Sequence, residues 1–479
     1  MVPRRTSIAV LTAIAATIAG AGVAASRAAP IGRLGRSARV WRLSARNSVR
    51  FAVSKVRGVG SPAERRAELD TQFAVRTAAD VARELGEMKG VLMKAGQMIS
   101  FIFESLPEDA QAALATLQAD AAPMAPSLAA GVVADALGGP PERVFLDWND
   151  MPAAAASIGQ VHRAVTTDGR EVAVKVQYPG VHEAIESDLD AAEAMYGMFS
   201  ALMLKGLDAK GLVDELRARM REELDYRLEA ENAIEFSRLF AGHPWVRIPQ
   251  VVPELSTDKV LTTEWVDGMS FDEFRTTASH DTKQRAGEVV WRFAQHAVAR
   301  HGAFNGDPHP GNYKFHHDGS VTFLDYGLVK RWSPGEWETL QPTLDAVIVH
   351  RDPELLVAAM EQSGFLRANH GLDAAHVYDY VSSPYVPYLT DEFTFTRQWM
   401  IDTIAKIFDV KGPHADVIEQ LNMPPSFVIL DRVVWGVNAI LGKLEVGGPF
   451  RGMLLEYVAD GEPATDIGAA EAAWWAVRS

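Results

Sequence analysis

Apolar residues recur at intervals of three and four positions between residues 62 and 118, with Leu69 and Phe73 as the first pair. This spacing places the apolar side chains on one face of a helix. Pro107 interrupts the pattern, which then resumes from Ala110 to Leu117. The segment therefore predicts a helical element ahead of the main fold, and the proline-containing residues 121–126 predict a linker behind it.

The period shortens to two residues further along the chain. Apolar and polar residues alternate from Val172 to Val176, a similar run ends at Ala164, and Asp168-Gly169 lies between the two runs. Alternation of this kind is typical of half-buried strands, and an Asp-Gly pair favours a tight turn. Residues 156–177 are therefore predicted to form a β-hairpin.

The rest of the chain is predicted to contain longer helices and a few more strands. Long amphipathic stretches predict helices over residues 181–204, 211–240, 355–366, 399–407 and 428–444. Shorter apolar runs predict strands over residues 247–252, 259–266 and 321–325. Beyond Ser270 the pattern is otherwise mostly helical. A strand-rich region followed by a helix-rich region predicts an α+β fold.

The composition excludes several classes of site. None of the 479 residues is cysteine, so disulfides, thiolate nucleophiles and Cys-ligated zinc or iron–sulfur sites are excluded. The net charge is −15, but residues 1–63 hold eleven basic residues and no acidic one, which leaves −26 on the rest of the chain. An acidic body argues against nucleic-acid binding, and a basic leader favours an anionic surface.

The leader also contains an uncharged stretch. Residues 6–26 carry no charge and are long enough, as a helix, to cross a bilayer. The basic residues that follow favour the cytoplasmic side of a membrane. We expect an anchor that holds the body at the cytoplasmic face, with a cleaved secretory signal and a surface-lying or disordered segment as alternatives. Without insertion the protein is expected in the cytoplasm.

The most specific chemical signal lies between residues 305 and 327. Asp307 and Asn312 have the D-x-x-x-x-N spacing of a protein-kinase catalytic loop, and Asp325 opens a D-Y-G that can replace D-F-G. The carboxylate and amide oxygens of these side chains are suitable ligands for Mg²⁺. A polar loop followed by an ordinary turn is the alternative.

A lysine strand and an alanine-rich loop precede these motifs in kinase order. Lys175 ends the V-A-V-K of residues 172–175, which is similar to the V-A-I-K strand whose lysine neutralises ATP phosphates. Ala153 to Gln160 stand where a kinase has its glycine-rich phosphate loop. Alanine carries a Cβ, so this loop is expected to approach phosphates less closely than glycine would.

Taken together, the motifs resemble those of the UbiB/AarF/ADCK family of atypical kinases. They comprise the K-x-G-Q of residues 94–97, the alanine-rich loop that ends in S-I-G-Q-V-H, the E-x-D of residues 223–225, and D-P-H-P-G-N. The resemblance covers residues 65–335. It implies a bilobal protein-kinase-like fold with four parts: a basic leader (1–60), an N-terminal helical extension (61–126), an N-terminal lobe (127–268) and a helix-rich C-terminal lobe (269–479).

The resemblance also implies roles for individual residues. It implies that Lys175 pairs with Glu229, that Asp307 is the catalytic carboxylate, and that Asn312 and Asp325 hold Mg²⁺. The implied nucleotide-binding residues are Ala154, Ala155, Ala156, Ser157, Gly159, Gln160, Lys175, Glu264 and Val266, with residues 264–266 as the adenine-side hinge. The implied regulatory residues are Lys94 and Gln97 on the extension and Glu223 and Asp225 near Lys94, an arrangement that would keep peptides out.

Some features depart from the family pattern. Asn305-Gly306 precede Asp307 where the family more often shows His-Ala or His-Gly, and Tyr326 replaces the usual phenylalanine. No A-P-E follows Asp325, so a segment for docking protein substrates is missing. His309 is expected to brace the loop, and the tryptophans, including Trp474-Trp475, to act as packing or interface anchors.

The leading functional hypothesis is a membrane-associated atypical kinase or ATPase. By resemblance it uses ATP or ADP with Mg²⁺, supports isoprenoid quinone or other lipid metabolism, and has a lipid surface and biosynthetic proteins as partners. One alternative is a nucleotide-binding regulatory scaffold without productive turnover. The other is a small-molecule phosphotransferase. The sequence leaves the oligomeric state open.

Overall fold

The computed structural model describes residues 124–156, 158–183, 185, 223–407, 409, 412–422 and 425–478. The leader, the predicted helical extension, Lys94, Gln97 and Ser157 lie outside these ranges, and the predictions made for them stay predictions. The chain divides into two compact units, one made of residues 1–225 and 257–261 and the other of residues 226–256 and 262–479.

The described part of the first unit is built on an antiparallel sheet. Helices α1 and α2 cover Pro126–Leu137 and Pro141–Val144. Strands β1 to β4 cover Phe145–Trp148, Ala154–Ala155, Gly159–Thr166 and Glu171–Gln177. The sheet order is β1–β3–β4–β6, with β2 paired to β3 and with β6 at Val260–Glu264. The Gln177 N–H donates to the Lys259 carbonyl at 3.0 Å, which joins the start of β6 to the hairpin.

The structure confirms the predicted hairpin and its two faces. Strands β3 and β4 pair in register from Gly159 opposite Gln177 to Val165 opposite Glu171. Val172, Val174 and Val176 are at most 1% exposed, and helix α1 packs on their strand. Alternate residues of a strand point to opposite faces, so Lys175 lies on the other, less buried face.

The prediction of one unbroken helix over residues 211–240 is wrong. The helical backbone is interrupted at Leu224 and Asp225, and helix α3 begins at Tyr226 and ends at Leu239. The Leu224 carbonyl accepts a hydrogen bond from Gln177 Nε2 at 2.9 Å. This side chain takes the place of the backbone N–H that would bind the carbonyl in a continuous helix. Asp225 then stands directly before α3, where aspartate is a favoured residue type.

The second unit is mainly helical. Helices α4 to α13 cover Phe271–Thr277, His280–His296, Glu336–Leu344, Pro353–Ser363, Ala374–Val381, Arg397–Ile407, Ala415–Gln420, Pro425–Leu444, Phe450–Val458 and Asp466–Ala476. Strands β5 and β7 to β12 cover Val246–Arg247, Ala303–Asn305, Tyr313–Phe315, Val321–Phe323, Val329–Arg331, Phe393–Thr394 and Gly447–Gly448. An antiparallel sheet in one unit and mainly helices in the other confirm the predicted α+β class.

Several strand predictions need correction. The strand predicted over residues 247–252 is reduced to β5 and an isolated bridge from Val251 to Thr263, since Pro249 has no N–H to donate to a ladder. Strands β7, β8 and β10 were not predicted. Each is three residues long, too short to show a period of two.

Buried ion pairs join the C-terminal helices to α5. The Arg292 side chain is 2% exposed and donates to both carboxylate oxygens of Glu456 at 2.7 and 2.9 Å. It also contacts Glu288 at 2.7 Å and Glu471 at 3.3 Å. A Cβ on Gly468 would lie 2.4 Å from Arg292 Nη2, so glycine is required for this approach. We call these charged side chains the Arg292 cluster; it connects α5, α12 and α13.

Two partly buried histidines near this cluster predict acid sensitivity. Burial lowers the pKa of His243 and of His301 to about 4. The unfolded chain takes up these protons near pH 6.5, so the stability contributed by the neutral imidazoles is complete above pH 6.5 and is lost as the pH falls toward 4. We expect the melting temperature, measured by calorimetry, to fall between about pH 7 and pH 5. The melting temperature of the variant His301→Gln should fall less steeply over this range. A pH profile identical to that of the wild type would show that His301 does not cause the acid sensitivity.

Candidate active site

The sheet register aligns Lys175 with the alanine-rich loop. Ala154 pairs with Val161, and Val161 pairs with Lys175 on the next strand. Directly opposed residues of paired strands point to the same face, so the three side chains form one row, with its ends about 10 Å apart. Ala155, by contrast, pairs with Gln160 and belongs to the opposite face. The predicted nucleotide-binding residues of the loop therefore divide between the two faces.

Gln160 has a structural position. Its side chain is 1% exposed, accepts from the Met124 N–H at 2.9 Å, and lies 2.8 Å from Nε2 of His162. The ring of His162 stacks on Trp148, and burial lowers the pKa of this histidine. The Gln160 side chain thus braces the base of the loop. Ala156 N–H donates to the Gly159 carbonyl at 2.9 Å, which closes the turn between β2 and β3.

Two short strands bring the predicted catalytic loop to the D-Y-G turn. Strand β7 ends at Asn305 and pairs antiparallel with β10, with Asn305 opposite Val329. Asn305 Nδ2 donates to the Asp325 carbonyl at 2.6 Å, and its Oδ1 accepts from the Asp307 N–H at 2.9 Å. One buried side chain therefore joins both motifs. Asn305 stands where a protein kinase has the histidine of H-R-D, and the sequence identified it only as a departure.

Asp307 and Asn312 are in direct contact. Asn312 Nδ2 donates to the Asp307 carbonyl at 3.2 Å and to Asp307 Oδ2 at 3.3 Å. The intervening turn is held by His309, whose Nδ1 accepts from the Gly311 N–H at 3.1 Å, consistent with its expected bracing role. Because the amide nitrogen of Asn312 faces Asp307, its amide oxygen is the atom that could coordinate a cation.

Glu229 lies against the D-Y-G turn. The Gly327 N–H donates to Asp325 Oδ1 at 3.0 Å. A Cβ on Gly327 would lie 3.4 Å from Asp325 Oδ1 and 3.6 Å from Glu229 Oε2. Glu229 is 4% exposed on α3. The structure thus places two predicted carboxylates beside one glycine. The implied pairing of Glu229 with Lys175 joins two separately described units and stays a prediction.

The helix that carries Glu229 is fixed to this turn by its neighbours. Asn232 Nδ2 donates to the Tyr326 carbonyl at 3.0 Å, and the rings of Phe236 and Tyr326 are 5.0 Å apart. Tyr326 is 1% exposed, and its hydroxyl has no hydrogen-bond partner in the described part of the chain. Burial, followed by the nearby Tyr313 and Asp325, raises the pKa of Tyr326 well above its usual value. The aromatic ring therefore serves packing.

The other predicted residues are more peripheral. Glu264 is exposed at the end of β6, and Val266 follows in irregular backbone. The Glu264 N–H donates to the Gln250 carbonyl at 2.8 Å, and the role of residues 264–266 as a hinge stays a prediction. Glu223 and Asp225 are half-buried on either side of Leu224, while their implied partner Lys94 lies outside the described residues.

The oxygen donors present fit a magnesium ion shared with a nucleotide. Mg²⁺ is typically held by one or two protein oxygens together with phosphate oxygens and waters. Asp325 supplies a carboxylate and Asn312 an amide oxygen, and Asn305 links the segments that carry them. Within the described ranges, no cluster of three or more His, Asp or Glu side chains is arranged to hold a metal by itself.

Arg432 is a site residue that the sequence reasoning missed. It lies on α11, and its Nη2 donates to Asp307 Oδ1 at 2.5 Å with both side chains at most 13% exposed. A Cβ on Gly436, one turn further along, would lie 2.3 Å from Pro308 Cγ, so this helix packs closely on the loop. The available signal was the adjacent Asp431-Arg432 pair in the middle of a mostly apolar helix.

Asn305 gives a prediction about the stability of the site. Replacing it by aspartate keeps an acceptor for the Asp307 N–H but removes the donor to the Asp325 carbonyl. Leaving a buried acceptor without a donor should cost about 1–3 kcal/mol of unfolding free energy, measured by urea denaturation. Asn422→Asp is the matched control, because Asn422 donates to the Gly364 carbonyl at an exposed position. Equal losses in the two variants would contradict the bridging role.

Comparisons with known proteins identify a family of kinase-like domains. Residues 116–360 match the model of the ABC1 atypical kinase-like domain. The protein ACTIVITY OF BC1 COMPLEX KINASE 1, chloroplastic, from Arabidopsis thaliana is 34% identical over 57% of this chain and 41% of its own length. The atypical kinase COQ8, mitochondrial, from Saccharomyces cerevisiae is 32% identical over 52% of this chain and 49% of its own length. The match thus spans about half, or less, of the length of these relatives.

A solved structure covers more of the chain. A Mycobacterium tuberculosis protein in complex with erythromycin is 33% identical, with a TM-score of 0.61 over 82% of this chain and 97% of its own. In the present chain, none of the helices in the described ranges is both long and apolar enough to cross a bilayer. The stretch over residues 6–26 lies outside those ranges.

Proposed function

The chain belongs to the ABC1 atypical kinase-like family, and on that premise we propose that it binds a magnesium nucleotide and turns over ATP. The observation that carries the proposal is the bridge from Asn305 to both Asp307 and Asp325. Phosphoryl transfer depends mainly on positioning and charge neutralisation, and this bridge joins the two backbone segments that carry the relevant carboxylates.

The proposed reaction assigns a task to each residue. The bond from the γ-phosphorus to the β–γ bridging oxygen breaks, ADP leaves with the electron pair, and a bond forms to an acceptor oxygen. The acceptor proton passes to Asp307 and then to solvent. Lys175 neutralises the α- and β-phosphates. Asn312 and Asp325 would hold Mg²⁺, which would neutralise charge on the phosphate oxygens.

Water or a small hydroxyl compound is the expected acceptor. No A-P-E follows the D-Y-G turn in the sequence, so a docking segment for peptides is missing. We propose that turnover takes place at an anionic lipid surface and supports isoprenoid quinone or other lipid metabolism. The eleven basic charges of residues 1–63 and the family resemblance support this wider role.

Phosphate release by the full-length chain tests the proposal. We expect turnover of ATP with Mg²⁺, no turnover with EDTA, and a higher rate with liposomes containing phosphatidylserine than with neutral liposomes. A phenol added as a headgroup mimic should raise the rate further. Absence of turnover under all these conditions, with nucleotide binding retained, would instead favour the regulatory scaffold.

One comparison favours a second candidate. The structural relative was solved with erythromycin, a hydroxyl-bearing small molecule, so a small-molecule phosphotransferase is the alternative. Incubation of this chain with MgATP and erythromycin, followed by mass spectrometry, tests it. A product heavier by one phosphoryl group would support phosphotransfer to the macrolide. Phosphate release without such a product would favour the ATPase.

A further inference from the structure

The catalytic loop contains no permanent cation of its own. Between Asn305 and Tyr313 the sequence holds neither lysine nor arginine. The transferred phosphoryl group nevertheless carries negative charge on three equatorial oxygens, and phosphoryl-transfer enzymes commonly stabilise that charge with an arginine. An arginine that adds to the charge of Mg²⁺ and Lys175 would therefore come from outside this loop.

Arg432 brings a cation to the loop. One terminal nitrogen, Nη2, donates to Asp307 Oδ1, while Asn312 donates to Oδ2 of the same carboxylate. The other terminal nitrogen, Nη1, is buried and has no hydrogen-bond partner among the residues that the structure describes. A buried guanidinium N–H without an acceptor is costly, because the group has lost its water. Nη1 is therefore a donor beside Asp307 for which the described part of the chain supplies no acceptor.

The backbone around Arg432 keeps it in place. Gly436 lets α11 approach Pro308 so closely that a single added Cβ would overlap the proline ring. The neighbouring carboxyl of Asp431 has its pKa raised to about 7 by burial, so it cancels the arginine charge only in part near neutral pH. The position of Arg432 thus favours a contact with an anion that binds beside Asp307.

We propose that Arg432 is a catalytic residue whose Nη1 binds an oxygen of the phosphoryl group during its transfer, while Nη2 orients Asp307. This inference rests on the proposed ATP turnover and adds the residue that stabilises the charge. It assigns a chemical task to α11, which lies beyond the residues 116–360 matched by the family model.

The test compares Arg432→Ala and Arg432→Lys with the wild-type full chain. We expect Arg432→Ala to lower the ATP turnover number at least about 100-fold, because arginines with this task contribute about 10³-fold or more. The dissociation constant for MgATP should change by no more than about threefold, since the contact forms mainly in the transition state. Affinity for ADP with aluminium fluoride should fall with the turnover number.

Chemical rescue separates catalysis from a purely structural role. Guanidinium at non-denaturing concentrations should restore part of the turnover of Arg432→Ala. Arg451→Ala is the matched control, because Arg451 is also half-buried but donates to the carbonyls of Ile348 and Tyr388. It should keep near wild-type turnover and show no stimulation by guanidinium.

The outcomes distinguish this inference from the proposed function. If the wild-type chain turned over no ATP, the proposed function itself would be wrong. If the wild type turns over ATP and Arg432→Ala does so at least as fast, the role of Arg432 is overturned and the proposed function still stands. Loss of turnover together with weaker MgATP binding and no rescue by guanidinium would also overturn it, because the arginine would then only maintain the fold. Partial activity in Arg432→Lys, with the other results as expected, shows that a positive charge is needed at position 432.

Discussion

Asp325→Asn is expected to lower magnesium-dependent ATP turnover by about 100- to 1000-fold, because a metal ion that neutralises phosphate charge contributes several kcal/mol to transition-state stabilisation. The amide has lost the negative charge that attracts Mg²⁺. Its oxygen can still accept from the Gly327 N–H, as Asp325 Oδ1 does at 3.0 Å, so the turn should fold normally. The rate of phosphate release at several Mg²⁺ concentrations measures the effect.

Asp272→Asn provides the control for this variant. Asp272 is 87% exposed on α4, and its ion pair with Arg275 is a surface contact. Its replacement should leave both turnover and magnesium dependence unchanged. If Asp325→Asn kept the wild-type rate at every Mg²⁺ concentration, Asp325 would not be a magnesium ligand in the reaction.

Arg292→Met is expected to destabilise the second unit by about 3–5 kcal/mol, because removing one partner leaves buried carboxylates uncompensated. Methionine fills much of the space of the arginine stem but supplies none of its donors to Glu288, Glu456 and Glu471. Urea denaturation monitored by tryptophan fluorescence measures the loss, since Trp474 packs beside this cluster.

Arg247→Met tests whether burial is the cause. The ion pair of Arg247 with Asp318 is about half exposed on both sides, at 53% and 50%. Exposed pairs contribute about 0–1 kcal/mol, so this variant should unfold close to the wild type. Similar midpoints for Arg247→Met and Arg292→Met would show that the buried cluster adds little to stability.

The elements with strong local patterns could be predicted from the sequence. The alternation of Val172, Val174 and Val176 was enough to place the hairpin and its buried face, and the helices near residues 355–366, 399–407 and 428–444 were found close to their observed ends. The motif spacing also placed Asp307, Asn312 and Asp325 in one site. Short-range periodicity and fixed loop lengths carry this information within the sequence itself.

The contacts between distant segments could not be predicted in this way. Arg432 and Asp307 are 125 positions apart, and Arg292 and Glu471 are 179 positions apart. Their partners are selected by helix packing, which leaves no fixed spacing in the sequence. The break at Leu224 was missed for a related reason, because its carbonyl is bound by the distant Gln177.

The row from Ala154 through Val161 to Lys175 limits how the alanine-rich loop can change in length. A one-residue insertion or deletion on β2 or in the turn would exchange the two faces of that strand, since neighbouring residues point in opposite directions. Ala154 would then turn toward the packed side and Ala155 toward the side of Lys175. Evolution or design can therefore adjust this loop by substitution, or by adding and removing residues in pairs, while single-residue changes in length would reverse its inner and outer surfaces.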